Sequence, residues 1–338
     1  MPAIDRIVRL RLCLLLAMAC AGLFAEQPGV PEPRPLAPPA GPRGFVGAGA
    51  QPKVANELVI DKPGIYENYL IDGGFKTGHL VRIKSDGVTL RHCTIRNGTV
   101  NGISVYAKNV VIEQCLIHHM LAGSFKDQKD AHGISGCPGT LTIRDCEIHH
   151  VSGDGIQFDP SREHWGPVRV EQCRIWTGPL EADMGGFKRG ERPGENAIDT
   201  KHPKKDSRAE LVIRNCVAFG WRGGSISNMA AFNLKEHLDA RVEGCVLYDN
   251  EIGLRLRGPG KNGGAKVSVL GCALYDSDMA VRVEDKAEEL KLRGLALGPG
   301  LKVGVVLDGG SAGPGFENSG SGAAPPLQQA LRTWGVRE

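Results

Sequence analysis

Between about residue 55 and residue 310, apolar and polar side chains alternate in short runs that are broken by Gly, Asn or Asp. Alternation with period two predicts half-buried strands. The runs also recur in a fixed phase. Thr-Leu-Arg-His-Cys93-Thr-Ile is followed by Val-Ile-Glu-Gln-Cys115-Leu-Ile, Thr-Ile-Arg-Asp-Cys146-Glu-Ile and Arg-Val-Glu-Gln-Cys173-Arg-Ile, and the phase returns at Cys216, Cys245 and Cys272. A second motif falls between these, as Gly102-Ile-Ser-Val, Gly133-Ile-Ser-Gly, Gly155-Ile-Gln-Phe, Ala197-Ile-Asp-Thr, Phe232-Asn-Leu and Gly253-Leu-Arg-Leu. Successive cysteines are 22 to 43 residues apart. A unit that short cannot bury its own apolar face, so it must stack on its neighbours.

The pattern predicts an all-β chain: a single-stranded right-handed parallel β-helix, a solenoid of about nine coils over residues 54–310. Coils would stack about 4.8 Å apart, so equivalent residues form ladders along the axis. Asp145, Asn215, Gly244 and Gly271, each just before a ladder cysteine, tolerate the left-handed backbone of a sharp corner. Leucine-rich repeats would show a Leu-x-x-Leu-x-Leu consensus, which is absent.

Composition narrows the picture. The 46 glycines are too many for a helical bundle and lack the period of collagen. A hydrophobic content of 41% with a net charge of +3 is enough to build a core, which excludes general disorder. The near-balanced charge also argues against nucleic acid as a partner. Seven of the ten cysteines occupy one ladder position. Cysteine packs as a small hydrophobe, so these are expected to be buried free thiols rather than disulfides. Cys137 lies off the ladder and is expected to be the most accessible thiol. His118-His119 and His149-His150 follow Cys115 and Cys146 in matching phase. Their column continues through Trp176, Phe219, Tyr248 and Tyr275, which predicts stacked flat rings rather than a zinc site.

Arg6, Arg9 and Arg11 precede an apolar run from Leu12 to Ala25, which reads as a signal peptide over residues 1–25 and implies export. Lipidation at Cys20 is the minor alternative. Residues 26–53 form a Pro/Gly-rich linker, and 311–338 a flexible tail with a short terminal helix. No later segment is apolar enough to span a membrane, and the chain is expected to be a monomer.

Candidate chemistry gathers on the strands of the second motif. Long insertions, Leu121 to Asp130 and Thr177 to Glu195, enter on one edge of that sheet and would wall a groove. Outward positions there run Ser104, Ser135, Gln157, Asp199, Asn233, Arg255 and Arg282, with His132, Asp154 and Asn196 just before the glycine positions. Asp154, Glu195, Asn196 and Asp199 offer oxygen ligands suited to calcium. Arg255 and Arg257 suit an acidic chain, with Gln157 and His132 also facing it. Calcium beside cations suits proton abstraction next to a uronate carboxylate followed by β-elimination, with Lys235 or Lys201 as base.

At these residues the sequence resembles the β-helical polysaccharide lyases, most nearly the family-nine pectate lyases. Gly153-Asp154-Gly155 and Glu195-Asn196-Ala197-Ile198-Asp199 are similar to that family's calcium-binding runs. Ala231-Phe232-Asn233-Leu234-Lys235 is similar to the strand that carries its catalytic lysine. Two departures stand out: Asn196 replaces an acidic ligand, and Asn233 stands where the family has lysine. The resemblance implies a calcium-dependent lyase acting on an acidic polysaccharide. Two alternatives remain open: a glycoside hydrolase using Asp159 and Asp199, and a non-catalytic glycan-binding or cell-surface repeat protein.

Overall fold

A computed structural model describes residues 46–158, 164–201, 208–235, 237–257, 263–311 and 317–333. The signal peptide, Cys20, most of the linker and Asp159 therefore lie outside the described residues. No helix among the described residues is long and apolar enough to cross a membrane.

The chain winds as a parallel β-helix with three strands per coil. One representative coil comprises Val88–Arg91, Thr94–Gly98 and Asn101–Val105. Each strand pairs in parallel with its equivalent one coil away, as Thr94 with Leu116, Leu116 with Glu147, and Ile103 with Ile134. The third strands of successive coils form one sheet of ten, from Leu58–Ile60 to Val303–Ser311. The first and second strands together form a sheet of 19. The solenoid therefore carries ten third strands where the sequence predicts about nine coils. It also continues past residue 310, because the Gly/Ser-rich segment Glu317–Ala323 pairs with Glu289–Leu297 through backbone bonds that need no side chain. The terminal helix Leu327–Thr333 packs Ala330 and Leu331 against Val217, Val246 and Tyr275.

Why this sequence makes these corners is visible in the backbone. The residue before each ladder cysteine is left-handed: His92, Gln114, Asp145, Gln172, Asn215, Gly244 and Gly271 have φ between +50° and +60°. The corner turns the chain sharply so that the cysteine points inward. All seven ladder cysteines are buried and free, while Cys137 is only half-buried. The thiols donate to carbonyls two residues back, Cys115 to Glu113 at 3.3 Å and Cys146 to Arg144 at 3.3 Å. Small residues recur where the third strand starts, because coils approach closely there. A Cβ on Gly133 would lie 2.5 Å from the Gly155 carbonyl oxygen and 2.6 Å from Ile148 Cγ2.

Two outer ladders flank the corner. Glu67, Arg91, Glu113, Arg144, Glu171, Arg214 and Glu243 pair in register one above another, so charge alternates coil by coil. Ion pairs join Arg91 to Glu67 at 2.7 Å and Arg214 to Glu243 at 2.7 Å. Each exposed pair is worth only about 0.2–1 kcal/mol, but a slip of one coil would oppose like charges throughout. Beyond the cysteine, the flat rings stack: His118 on His149 at 5.0 Å, His149 on Trp176 at 4.5 Å, Trp176 on Phe219 at 5.6 Å and Phe219 on Tyr248 at 4.7 Å. His119 and His150 are left-handed corner residues and form a second stack at 5.1 Å.

Burial and neighbouring imidazoles hold these histidines neutral, with His118 lowered to about 3 and His150 to about 4. The unfolded chain binds protons from about pH 6.5 downward, whereas the folded ladder refuses them until far lower pH. Stability is thus full above pH 6.5 and is lost as the pH falls toward 4. A drop in melting temperature of several degrees between pH 7 and 4 is expected, and His149→Phe should flatten it. Denaturation without reductant followed by alkylation should label all eight cysteines of the described residues; three or more disulfides by mass spectrometry would refute the free-thiol ladder.

Candidate functional site

The candidate residues gather on the ten-stranded sheet of third strands, the third sheet below. Strands His132–Gly136, Ile156–Phe158, Asn196–Thr200, Ala230–Leu234 and Ile252–Leu256 lie side by side in that order. Their register aligns Ser104, Ser135, Gln157, Asp199, Asn233, Arg255 and Arg282 on one outward line, as the sequence predicts. Most of this line is nevertheless buried: Ser104, Ser135, Gln157, Asp199 and Asn233 are each 7% exposed or less. Polar side chains are rarely buried unless they are partnered.

The two long insertions contribute to that cover. Gln128 and Gly194 exchange hydrogen bonds, Nε2 to the Gly194 carbonyl at 3.2 Å and the Gly194 N–H to Oε1 at 3.1 Å. Leu121, Leu180 and Phe187 make a separate small core with Phe75, Phe125 and Met184. Gly186, with φ +90°, admits the Gly123 carbonyl oxygen to 2.0 Å from where a Cβ would stand. The insertions therefore build one wall rather than two independent loops.

Asp154 sits at the centre, fully buried. Its two oxygens accept from Asn196 Nδ2 at 2.8 Å and Gln157 Nε2 at 2.7 Å. Its backbone N–H donates to His132 Nδ1 at 2.9 Å, which fixes that ring nitrogen as an acceptor. Burial, reinforced by Asp199 and Glu195, raises the Asp154 carboxyl well above the usual range. Burial also lifts Glu195 to about 7, helped by Asp130, with which it shares a hydrogen bond. His132 is pushed below its ordinary value by burial, with Lys201 adding to the shift.

Asp199 is the anion that two lysines share. Lys235 Nζ lies 2.8 Å from Oδ1 and 2.9 Å from Oδ2, and Lys201 Nζ lies 2.9 Å from Oδ2. Both lysines follow the last residue of adjacent third-sheet strands, so they reach back to one carboxylate. Thr200 Oγ1 accepts the Lys235 backbone N–H at 2.9 Å, and Trp165 Nε1 donates to the Lys201 carbonyl at 3.1 Å. The pair divides in character. Burial and the Lys201 charge lower Lys235 below the ordinary lysine value, whereas Asp199 outweighs burial and raises Lys201.

Further along the groove, Arg255, Arg257 and Arg282 converge on Glu284, at 3.0, 3.2 and 3.3 Å. Three cations share one anion, so the strip stays cationic but is less free than sequence alone suggests. Arg255 also donates to the Asn228 carbonyl at 3.2 Å. Asn233 lies between Asp199 and Arg255, and its Oδ1 has no partner among the described residues.

Calcium takes about six to eight oxygen donors, and the expected ligands do not present them. Asn196 Oδ1 accepts the Ala230 N–H at 3.0 Å and its amide N–H faces Asp154, Asp154 is capped by two amides, and Asp199 by two ammoniums. Among the described residues, no three His, Cys, Asp or Glu side chains converge as a metal site. At Asp154, Asn196 and Asp199, N–H groups therefore stand against the oxygens expected to hold a cation. Sequence reasoning missed Asp130 and the sharing of Asp199, because each depends on which loop or lysine folds back. Asp130, two residues before His132 at the end of an insertion, carried the only signal.

The profile for the right handed beta helix region matches residues 64–187. A search of curated proteins returned no match. Among solved structures, pectate lyase Pel9A aligns over 88% of this chain and 77% of its own, at 14% identity and a TM-score of 0.51. The catalytic unit of a thermostable GH87 α-1,3-glucanase from Streptomyces thermodiastaticus strain HF3-3 covers 85% of this chain and 71% of its own, at 12% identity and a TM-score of 0.36. The chain is a right-handed parallel β-helix, a fold that it shares with pectate lyase Pel9A.

Removing the shared anion tests the geometry directly. Asp199→Asn leaves two facing ammoniums with no carboxylate, and should cost on the order of 3 kcal/mol. A melting temperature unchanged from the parent protein would show that the ion pairs do not form.

Proposed function

We propose that this chain is an exported carbohydrate-active protein that binds an acidic, uronate-containing polysaccharide in the walled groove and cleaves it by β-elimination. One observation carries the reading: a half-buried lysine with a lowered pKa, Lys235, stands on the polar face of this sheet beside a second lysine and a cluster of arginines. The fold likeness to a pectate lyase supports it.

In the proposed reaction, Lys201, Arg255 and Arg257 hold the uronate carboxylate and stabilise the charge that develops on it. The free amine of Lys235 takes the proton α to that carboxylate. The electron pair forms the carbon–carbon double bond as the bond from C4 to the glycosidic oxygen breaks. Glu195, raised to about 7 and so partly protonated at neutral pH, returns a proton to the leaving oxygen. Gln157 and His132 line the same groove and orient the chain.

The test is incubation of the full chain with pectate, alginate and glycosaminoglycans, read at the ultraviolet absorbance of unsaturated uronates. Unsaturated products are expected, reduced about 10²–10⁴-fold in Lys235→Ala. Lys201→Gln removes a like charge that lowers Lys235, so the alkaline shift of its pH profile is a further expected outcome. New reducing ends without unsaturation would favour hydrolysis, and retained glycan binding with neither product would favour a binding protein. Full activity in Lys235→Ala would overturn the base assignment, and full activity in Lys201→Ala the carboxylate-holding role of Lys201.

A further inference from the structure

We infer that the Lys201–Asp199–Lys235 triad takes the place of a divalent cation, so that the groove neutralises an anionic ligand with built-in ammoniums and binds no calcium. Three observations carry the inference. Asp199 is 1% exposed, and a buried carboxylate requires a compensating charge. That charge comes from two ammoniums within 2.9 Å of its oxygens. Nearby, Gln157 Nε2 and Asn196 Nδ2 both donate to Asp154, at 2.7 and 2.8 Å, while Asn196 Oδ1 is held by the Ala230 N–H. A cation placed among these groups would have to displace two ammoniums from Asp199 and two amide N–H groups from Asp154.

The triad also has capacity left over. With both lysines protonated, two ammoniums on one carboxylate leave a net charge of +1, and with Lys235 as its free amine the triad is neutral; each ammonium carries three donors. The Lys201 side chain is 39% exposed, so it can direct a remaining N–H into the groove. A ligand carboxylate would therefore be met by an ammonium where a metal site would offer an ion. The role toward a uronate rests on the lyase reading above; the exclusion of calcium rests on the triad and on the amides that face Asp154.

The decisive experiment is thermal melting and calorimetric titration of the full chain with calcium chloride and with EDTA, neither of which depends on catalysis. The melting temperature is expected to move by less than ~1 °C in either, with no saturable binding heat, because a resident ion would shift it by several degrees. The Lys201→Met, Lys235→Met double variant, with Asp199 uncovered, is expected to gain a calcium-dependent rise. Lys201→Met alone should melt lower than Lys62→Met, which removes an exposed lysine. A calcium-dependent rise in the unmodified protein overturns the inference, and that readout needs no variant to fold. So does a Lys201→Met protein as stable as Lys62→Met. Absence of lyase products with an unmoved melting temperature would sink the proposed function while leaving this inference intact.

Discussion

Everything in this molecule depends on strands hydrogen-bonding only to their equivalents one coil away. Within a coil the three strands do not pair with each other, so no coil has a sheet or a core of its own. The backbone ladder converts each sequence position into a column. A residue then packs against its counterparts rather than against its sequence neighbours, and uniform columns become the cheapest way to fill space. The buried thiols, the stacked rings and the glycine line are three answers to one geometric demand.

The groove uses that same demand to a different end. On the third sheet the column rule is relaxed, and serine, glutamine, aspartate, asparagine and arginine follow one another along a single line. Burying so many polar groups would be destabilising unless each found a partner. The amides of Gln157 and Asn196 satisfy Asp154. Around the buried Asp199, the charges of Lys201 and Lys235 act on one another, and two chemically identical lysines shift in opposite directions, Lys201 up and Lys235 down.

The columns were legible in the sequence because a repeat prints them directly: the cysteine phase gave the corner, and the Gly-Ile phase gave the outward line from Ser104 to Arg282. Features that leave the repeat were not legible. Lys201 and Lys235 sit just past strand ends, where a side chain chooses among several partners, and no periodicity says that both choose Asp199. The donors that face Asp154 were hidden for a related reason. Residue types at matching positions count donors, but Asn196 offers an N–H or an oxygen depending on which way its amide is held, and the Ala230 N–H decides that. The final strand Glu317–Ala323 was hidden because its composition is that of a tail, and only the exposed edge of the preceding coil gives it a template.

The column of alternating Glu and Arg that climbs from Glu67 to Glu243 has a consequence for how such a chain can change its length. Removing one coil from its middle, such as the one bearing Arg144, would set Glu113 directly over Glu171. Removing two neighbouring coils would restore an acid over a base. Along this stretch the solenoid therefore has a parity, and duplications or deletions that conserve it come in even numbers of turns.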